Sequence, residues 1–349
     1  MDLLAQGAAP ALALSRRHKT RRWGLLAGLA ALAGLALLSL ASGSRSIALE
    51  VVWQALSAFD PGNDQHLILR ELRLPRTLVA LLAGMALGTA GALMQAVTRN
   101  PLAEPGLLGI NAGAALAVIS GVALGQLTSM LQSLWLAFCG AGLAGALVFL
   151  LGRAHETGTN PVRLVLAGAG LSVMLASLTG IIVLNCPPEV FDHFRHWASG
   201  SLASTGLALL PLPAMAVACG LGLALAIGPR LNALALGHEL GRALGVNLRL
   251  TWLLACLAVM LLAGAATAMA GPIGFIGLVA PHLARMLAGP DYRWILPYSA
   301  LLAASLLLAA DMLGRVLVAP QELAAGIITL LLGGPCFIVL VRRFRLSRL

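Results

Sequence analysis

The sequence predicts an all-α polytopic membrane protein with about ten transmembrane helices. Hydrophobic residues make up 59% of the chain, charged residues 10%, and mean hydropathy is +0.92, far from the balance of a water-soluble domain. Apolar runs close to the roughly 20 residues demanded by a hydrocarbon core ~30 Å thick recur along the chain, separated by short polar breaks. None of these runs alternates with period two. A barrel is therefore excluded, and helices are the remaining fold that pairs its backbone groups inside lipid.

The first expected span is Trp23 to Ala41, preceded by a tail of residues 1–22. The basic stretch before it resembles a signal peptide, but the apolar run from Gly24 exceeds the usual h-region, so a retained anchor is expected. An outer stretch, 45–60, follows. Its run Ile47 to Leu56 fits a short amphipathic helix on the membrane surface, with Trp53 at the boundary. The second span is Leu74 to Val97 and the third Gly106 to Leu124. Between them, Pro101 and Pro105 rule out an unbroken helix and predict a stiff turn. Spans four to six are Leu131 to Leu151, Arg163 to Leu184 and Leu207 to Ile227. In the stretch 235–249, Gly237 to Asn247 mixes charges with helix formers and predicts one or two short helices. The last four spans are Leu250 to Ala270, Phe275 to Ala288, Ile295 to Met312 and Leu323 to Val341, with the tail 342–349 beyond. The whole of 23–341 forms one transmembrane domain.

Basic residues orient the bundle. With the N-terminus cytoplasmic, a strong majority of the arginines fall on the inner side, so both termini are expected there. The formal charge of +10 is thus topological, and its dispersal among loops excludes a nucleic-acid face. Arg73 and Arg76 lie on the outer side, against this bias. Stray positive charge there needs either tolerance by a short loop or a partner that uses it, and an acidic external protein would be such a partner.

Few residues suggest chemistry. Cys139, Cys219, Cys256 and Cys336 lie in spans and Cys186 near an outer boundary, without C-x-x-C spacing, so packing is expected and neither a disulfide nor a metal site. No catalytic constellation or cofactor site is visible. The only lysine, Lys19, follows His18 rather than glycine, so the chain has no phosphate-binding Walker loop. A weak internal duplication is present. Gly88 to Gly113 runs glycine-rich helix, proline break, glycine-rich helix, and Gly264 to Leu287 repeats that order around Gly271-Pro272. Five spans separate the copies, which makes the repeat inverted, as in many transporters.

Five motifs carry a resemblance. They are Arg73-Leu-Pro-Arg76-Thr77, Gly91-Ala-Leu-Met-Gln95, the run Arg99 to Gly109, the run Gly271 to His282, and Ala310-Asp-Met-Leu-Gly-Arg315. In these the chain resembles the iron-siderophore and cobalamin permease family of bacterial ABC importers. The resemblance implies a type II importer permease fold in the bacterial inner membrane. It also implies two permease subunits, two ATPase subunits carrying ATP and Mg, and a periplasmic substrate-binding protein.

By the same resemblance, Arg73, Arg76 and Arg315 dock acidic residues of the binding protein. The competing readings are an i,i+4 pair with Asp311 for Arg315 and interfacial snorkelling for the other two. Glu239, Arg242, Leu244 and Gly245 fall in the region matching the family's ATPase-coupling helices. Asn100, Leu102 and Asn160 match positions at the cytoplasmic gate. His282 is left out of the ligand set, because a packed histidine fits its place equally well. Gly109 to Gly113 and Phe191 to Ser201 look more like ferric-siderophore permeases, especially catecholate ones, than haem or cobalamin permeases, which are the alternatives. A second, distinct permease is expected beside this one. An ion-coupled secondary transporter, the rival from another class, would place acidic residues at mid-membrane, and these span centres hold almost none.

Overall fold

The structure is a computed structural model describing the backbone of residues 2–43, 46–125, 129–152 and 161–343. Side chains are described from residue 18 onward, except at 161, 204, 238, 340, 341 and 343. Among the described residues every regular element is helical. Seven helices are long and apolar enough to cross a membrane, and three shorter apolar ones, Ile110–Ala123, Ile276–Ala288 and Ala325–Val339, complete the expected set of ten.

Helix α1 (Asp2–Ala41) is continuous, so the N-terminal tail joins the first span as helix. Helix α2 (Leu49–Ser57) is the expected surface helix: it buries Val52 and Ala55 and leaves Trp53 exposed. Residue 45, where that stretch was expected to begin, lies outside the described residues. A short α3 (Asp64–Leu67) passes through a π-helical turn, Ile68–Arg73, into α4 (Leu74–Thr98). The wide turn brings Arg73 against the end of α1, in keeping with the frequent placement of π segments at functional positions.

Helices α5 (Ile110–Ala123), α6 (Met130–Leu151) and α7 (Pro161–Asn185) follow, then α8 (Pro188–Ala198). Helix α8 was not expected. Its acids, histidines and arginine hide an amphipathic helix that opens on Pro188 and buries Trp197. The sixth span is displaced. Leu207–Leu209 forms a 3-10 turn, and α9 (Pro211–Ala235) continues past the expected end at Ile227 and through Pro229. Membrane helices tolerate such prolines, because neighbouring groups and local adjustment serve the freed carbonyl. The remaining helices are α10 (His238–Ala243), α11 (Leu248–Ala270), α12 (Ile276–Ala288), α13 (Tyr292–Val316) and α14 (Ala325–Arg343). Helix α13 begins ahead of the expected Ile295 because Asp291 and Asn232 cap it. Asp291 Oδ1 accepts from Arg293 N at 3.0 Å and Asn232 Oδ1 from Tyr292 N at 2.8 Å.

Helix α4 is the axis of the bundle, packed against α11, α12 and α13. Its glycines allow this closeness. A Cβ on Gly84 would lie 2.5 Å from Ala304 Cα, and one on Gly91 would lie 1.8 Å from the Gly277 carbonyl oxygen. Small residues at such crossings let backbones approach where lipid supplies no hydrophobic drive.

The duplication is visible as two helix–break–helix segments, α4–α5 and α11–α12. Thr205 donates to Met269 O at the end of α11 and lines the same recess as Arg73 and Arg76 at the start of α4, so α4 and α11 are antiparallel. Each break opens and closes on a left-handed residue: Arg99 (φ 51°) and Gly109 (φ 69°) in the first, Gly271 (φ 70°) and Phe275 (φ 65°) in the second. The breaks meet. The Glu104 carboxylate accepts the Phe275 backbone N–H, the Pro105 ring lies against Gly277, and Thr267 Oγ1 bonds Asn111 Oδ1 at 2.9 Å.

Candidate functional site

At one end of the bundle, the three arginines singled out in the sequence converge on a recess of about 340 Å³ lined also by Glu71, Thr205 and Glu322. The last carbonyls of any helix lack intrahelical partners and carry partial negative charge. Those of α1 are served by two arginines. Arg73 Nη1 donates to Leu40 O at 2.7 Å and Ala41 O at 2.8 Å, and Arg315 Nη1 donates to Ser39 O and Ser42 O, both at 3.0 Å. Arg315 Nη2 also donates to Ser39 Oγ at 2.7 Å. The positive charge at this end thus answers a helix C-terminus.

Asp311, fully buried on α13, sits between two arginines. Arg76 Nε donates to its Oδ1 at 2.8 Å, and Arg315 Nε lies 3.1 Å from its Oδ2 in the i,i+4 relation weighed from sequence. Arg76 then turns its Nη1 to Glu322, on the segment between α13 and α14. Sequence reasoning treats the three arginines as one set, and the structure divides them. Arg73 is 7% exposed and Arg315 2%, both committed to α1, whereas Arg76 holds the accessible acid of the group, Glu322, whose side chain is 38% exposed. Glu322 carries no sequence signal for this role, since it lies 246 residues from Arg76.

The opposite end holds the coupling and gate candidates. Helix α10 presents Glu239, Leu240 and Arg242 outward, and Leu244 and Gly245 are exposed beyond it. Gly241 is buried, its Cβ position 3.2 Å from Ala233 O, and Gly245 (φ 75°) ends the helix where a side chain would be strained. Asn247 Oδ1 then caps α11 through Leu250 N at 3.0 Å. Asn100 is exposed and accepts from Leu102 N at 2.9 Å, which folds the first break into a tight turn with Leu102 half-buried. Arg99 donates to Leu234 O at 2.9 Å, so this turn lies beside the segment leading to α10. Asn160 lies outside the described residues.

One further group was missed. Gln95 Nε2 donates to Leu278 O at 3.3 Å, and Arg285 Nη2 donates to Gln95 Oε1, clamping α12 to α4. An amide in an apolar, glycine-rich helix was the available signal. His282 lies buried on α12, one turn from this clamp.

A bundle built from two antiparallel helix–break–helix segments, with an arginine-lined recess at one end and a short exposed helix at the other, is the architecture of a membrane permease. The chain belongs to the FecCD transport family, whose sequence profile matches residues 31–343. It is 46% identical over 307 residues to the ferric enterobactin transport system permease protein FepD of Escherichia coli (strain K12), covering 88% of this chain and 91% of that one. It is 39% identical over 293 residues to the probable siderophore transport system permease protein YfiZ of Bacillus subtilis (strain 168), covering 84% and 87%. Among solved structures, an inward-facing metal-chelate type ABC transporter superposes with a TM-score of 0.80 at 30% identity, covering 92% of this chain and 99% of that one.

Proposed function

We propose that this chain is the transmembrane permease subunit of an ATP-driven importer that carries a ferric catecholate siderophore from the periplasm to the cytoplasm. The observation that carries the substrate is the 46% identity, over 88% of the chain, to a ferric enterobactin permease. The subunit transports without catalysing: ATP and Mg belong to a pair of separate ATPase subunits. A second, distinct permease completes the pathway, and a periplasmic binding protein delivers the substrate.

The bundle lies in the inner membrane with both termini cytoplasmic. Supporting this orientation, Tyr298 bonds Arg21 O and Arg99 bonds Leu234 O at the end where the basic loops gather. On this reading the arginine recess faces the periplasm and receives the binding protein, with Arg76 making the direct contact and Arg73 and Arg315 holding the site. Glu239, Arg242, Leu244 and Gly245 meet the ATPase, and Asn100, Leu102 and Asn160 lie at the inner gate. Removing this gene from its host should abolish growth on a ferric catecholate as sole iron source while sparing growth on ferric citrate and haem. Loss of haem or cobalamin use instead would reject the substrate.

A further inference from the structure

The recess already contains a carboxylate of the kind that docking would bring. Arg76 is a two-edged fork: Nε is held by the buried Asp311, and Nη1 by Glu322. Asp311 cannot leave, because it is on a helix, fully buried and flanked by Arg76 and Arg315. Glu322 can. It lies outside both neighbouring helices, its side chain is 38% exposed, and the next backbone amide, Leu323 N, is fixed to Gly314 O at 2.9 Å. Rotation about side-chain bonds therefore suffices to release Arg76, with the backbone in place.

We propose that Glu322 is an internal stand-in for the partner's carboxylate, exchanged for it when an acidic protein docks. An incoming carboxylate cannot make the bidentate, charge-assisted contact that guanidinium favours while Glu322 holds the outward edge of Arg76. Withdrawing Glu322 leaves Asp311 and Glu71 as the acids beside three arginines, so the recess accepts one further carboxylate without accumulating negative charge. The exchange replaces one ion pair with another of the same chemistry. Docking is thereby specific yet readily reversible, as suits a partner that must depart after each delivery. The proposal rests on the docking reading of this recess.

The test uses the assembled importer in nanodiscs and its own binding protein. Glu322→Gln keeps the shape and removes the competing charge. It should tighten docking about threefold to tenfold, the scale of one exposed ion pair, while melting with the wild type. Glu71→Gln removes the same charge from the same recess without vacating Arg76, and should change docking less. In Arg76→Gln/Glu322→Gln the gain should vanish. Equal tightening by Glu71→Gln and Glu322→Gln would overturn the exchange in favour of a general charge effect. Unchanged or weaker docking in Glu322→Gln, with docking still lost in Arg76→Glu, would overturn the exchange and leave the docking reading standing. Unchanged docking in Arg76→Glu would remove both.

Discussion

Replacing Gly91 with alanine should unseat α12 from α4. The added Cβ would lie 1.8 Å from the Gly277 carbonyl oxygen, 2.5 Å from its carbon and 2.7 Å from its Cα, all backbone atoms that no side-chain rotation can clear. Bringing the shortest contact to 3.0 Å, the tightest that real Cβ atoms show, requires about 1.2 Å of separation. Overpacking of this kind costs about 1–3 kcal/mol. The same displacement carries the 3.3 Å bond from Gln95 to Leu278 O out of range, and a buried polar group left unpaired adds about 1–3 kcal/mol. The sum, about 2–6 kcal/mol, is a large share of the ~5–15 kcal/mol typical of a folded domain. Gly142→Ala is the control: a Cβ there meets nothing within 4 Å, and alanine favours a helix by up to about 1 kcal/mol. Thermal unfolding of the purified protein in detergent should rank Gly91→Ala well below the wild type and Gly142→Ala at or above it. Equal melting of both variants would refute the α4–α12 crossing.

Three further substitutions probe other contacts. Arg315→Gln removes the guanidinium that donates to Ser39 O and Ser42 O, while Asp311 keeps Arg76, so it should destabilise the fold by about 1.5–3 kcal/mol, read as reduced yield and earlier melting. Glu104→Ala removes the acceptor of the Phe275 N–H and should cost about 1.5–3 kcal/mol in melting, whereas Glu104→Gln keeps an acceptor and should recover much of it. The double variant Glu239→Ala/Arg242→Ala touches only exposed side chains, so stability should stay within about 0.5 kcal/mol while ATPase copurification and coupled hydrolysis fall. Wild-type copurification would remove the coupling assignment.

Local physics made most helices legible. The start of α4 at Leu74 and its end near Thr98 follow from an apolar run closed by Asn100-Pro101, and α11 ends at Ala270 where Gly271-Pro272 forbids continuation. The sixth span was expected at Leu207 to Ile227, whereas α9 runs Pro211–Ala235, and α8 was passed over because acids, histidines and an arginine mask its buried Trp197. At the arginine recess the three arginines could be found, since charge against the expected topological bias is a sequence property. Of their partners only Asp311 was visible, through its i,i+4 spacing from Arg315. Arg73 and Arg315 spend themselves on backbone carbonyls of α1, which leave no mark on residue type, and Glu322 reaches Arg76 only through the tertiary fold. The meeting of the two breaks through Glu104 and Phe275 is likewise a product of the antiparallel repeat.

As proposed, this chain transports only as part of an ATP-driven, binding-protein-dependent assembly. The measurement is uptake of a radiolabelled ferric catecholate into liposomes holding this chain with its partner permease and ATPase subunits. Accumulation is predicted only when ATP is present on the ATPase side and the binding protein on the other, and it should stop when either is withheld. Uptake by this chain alone under an ion gradient, without ATP or binding protein, would contradict the account.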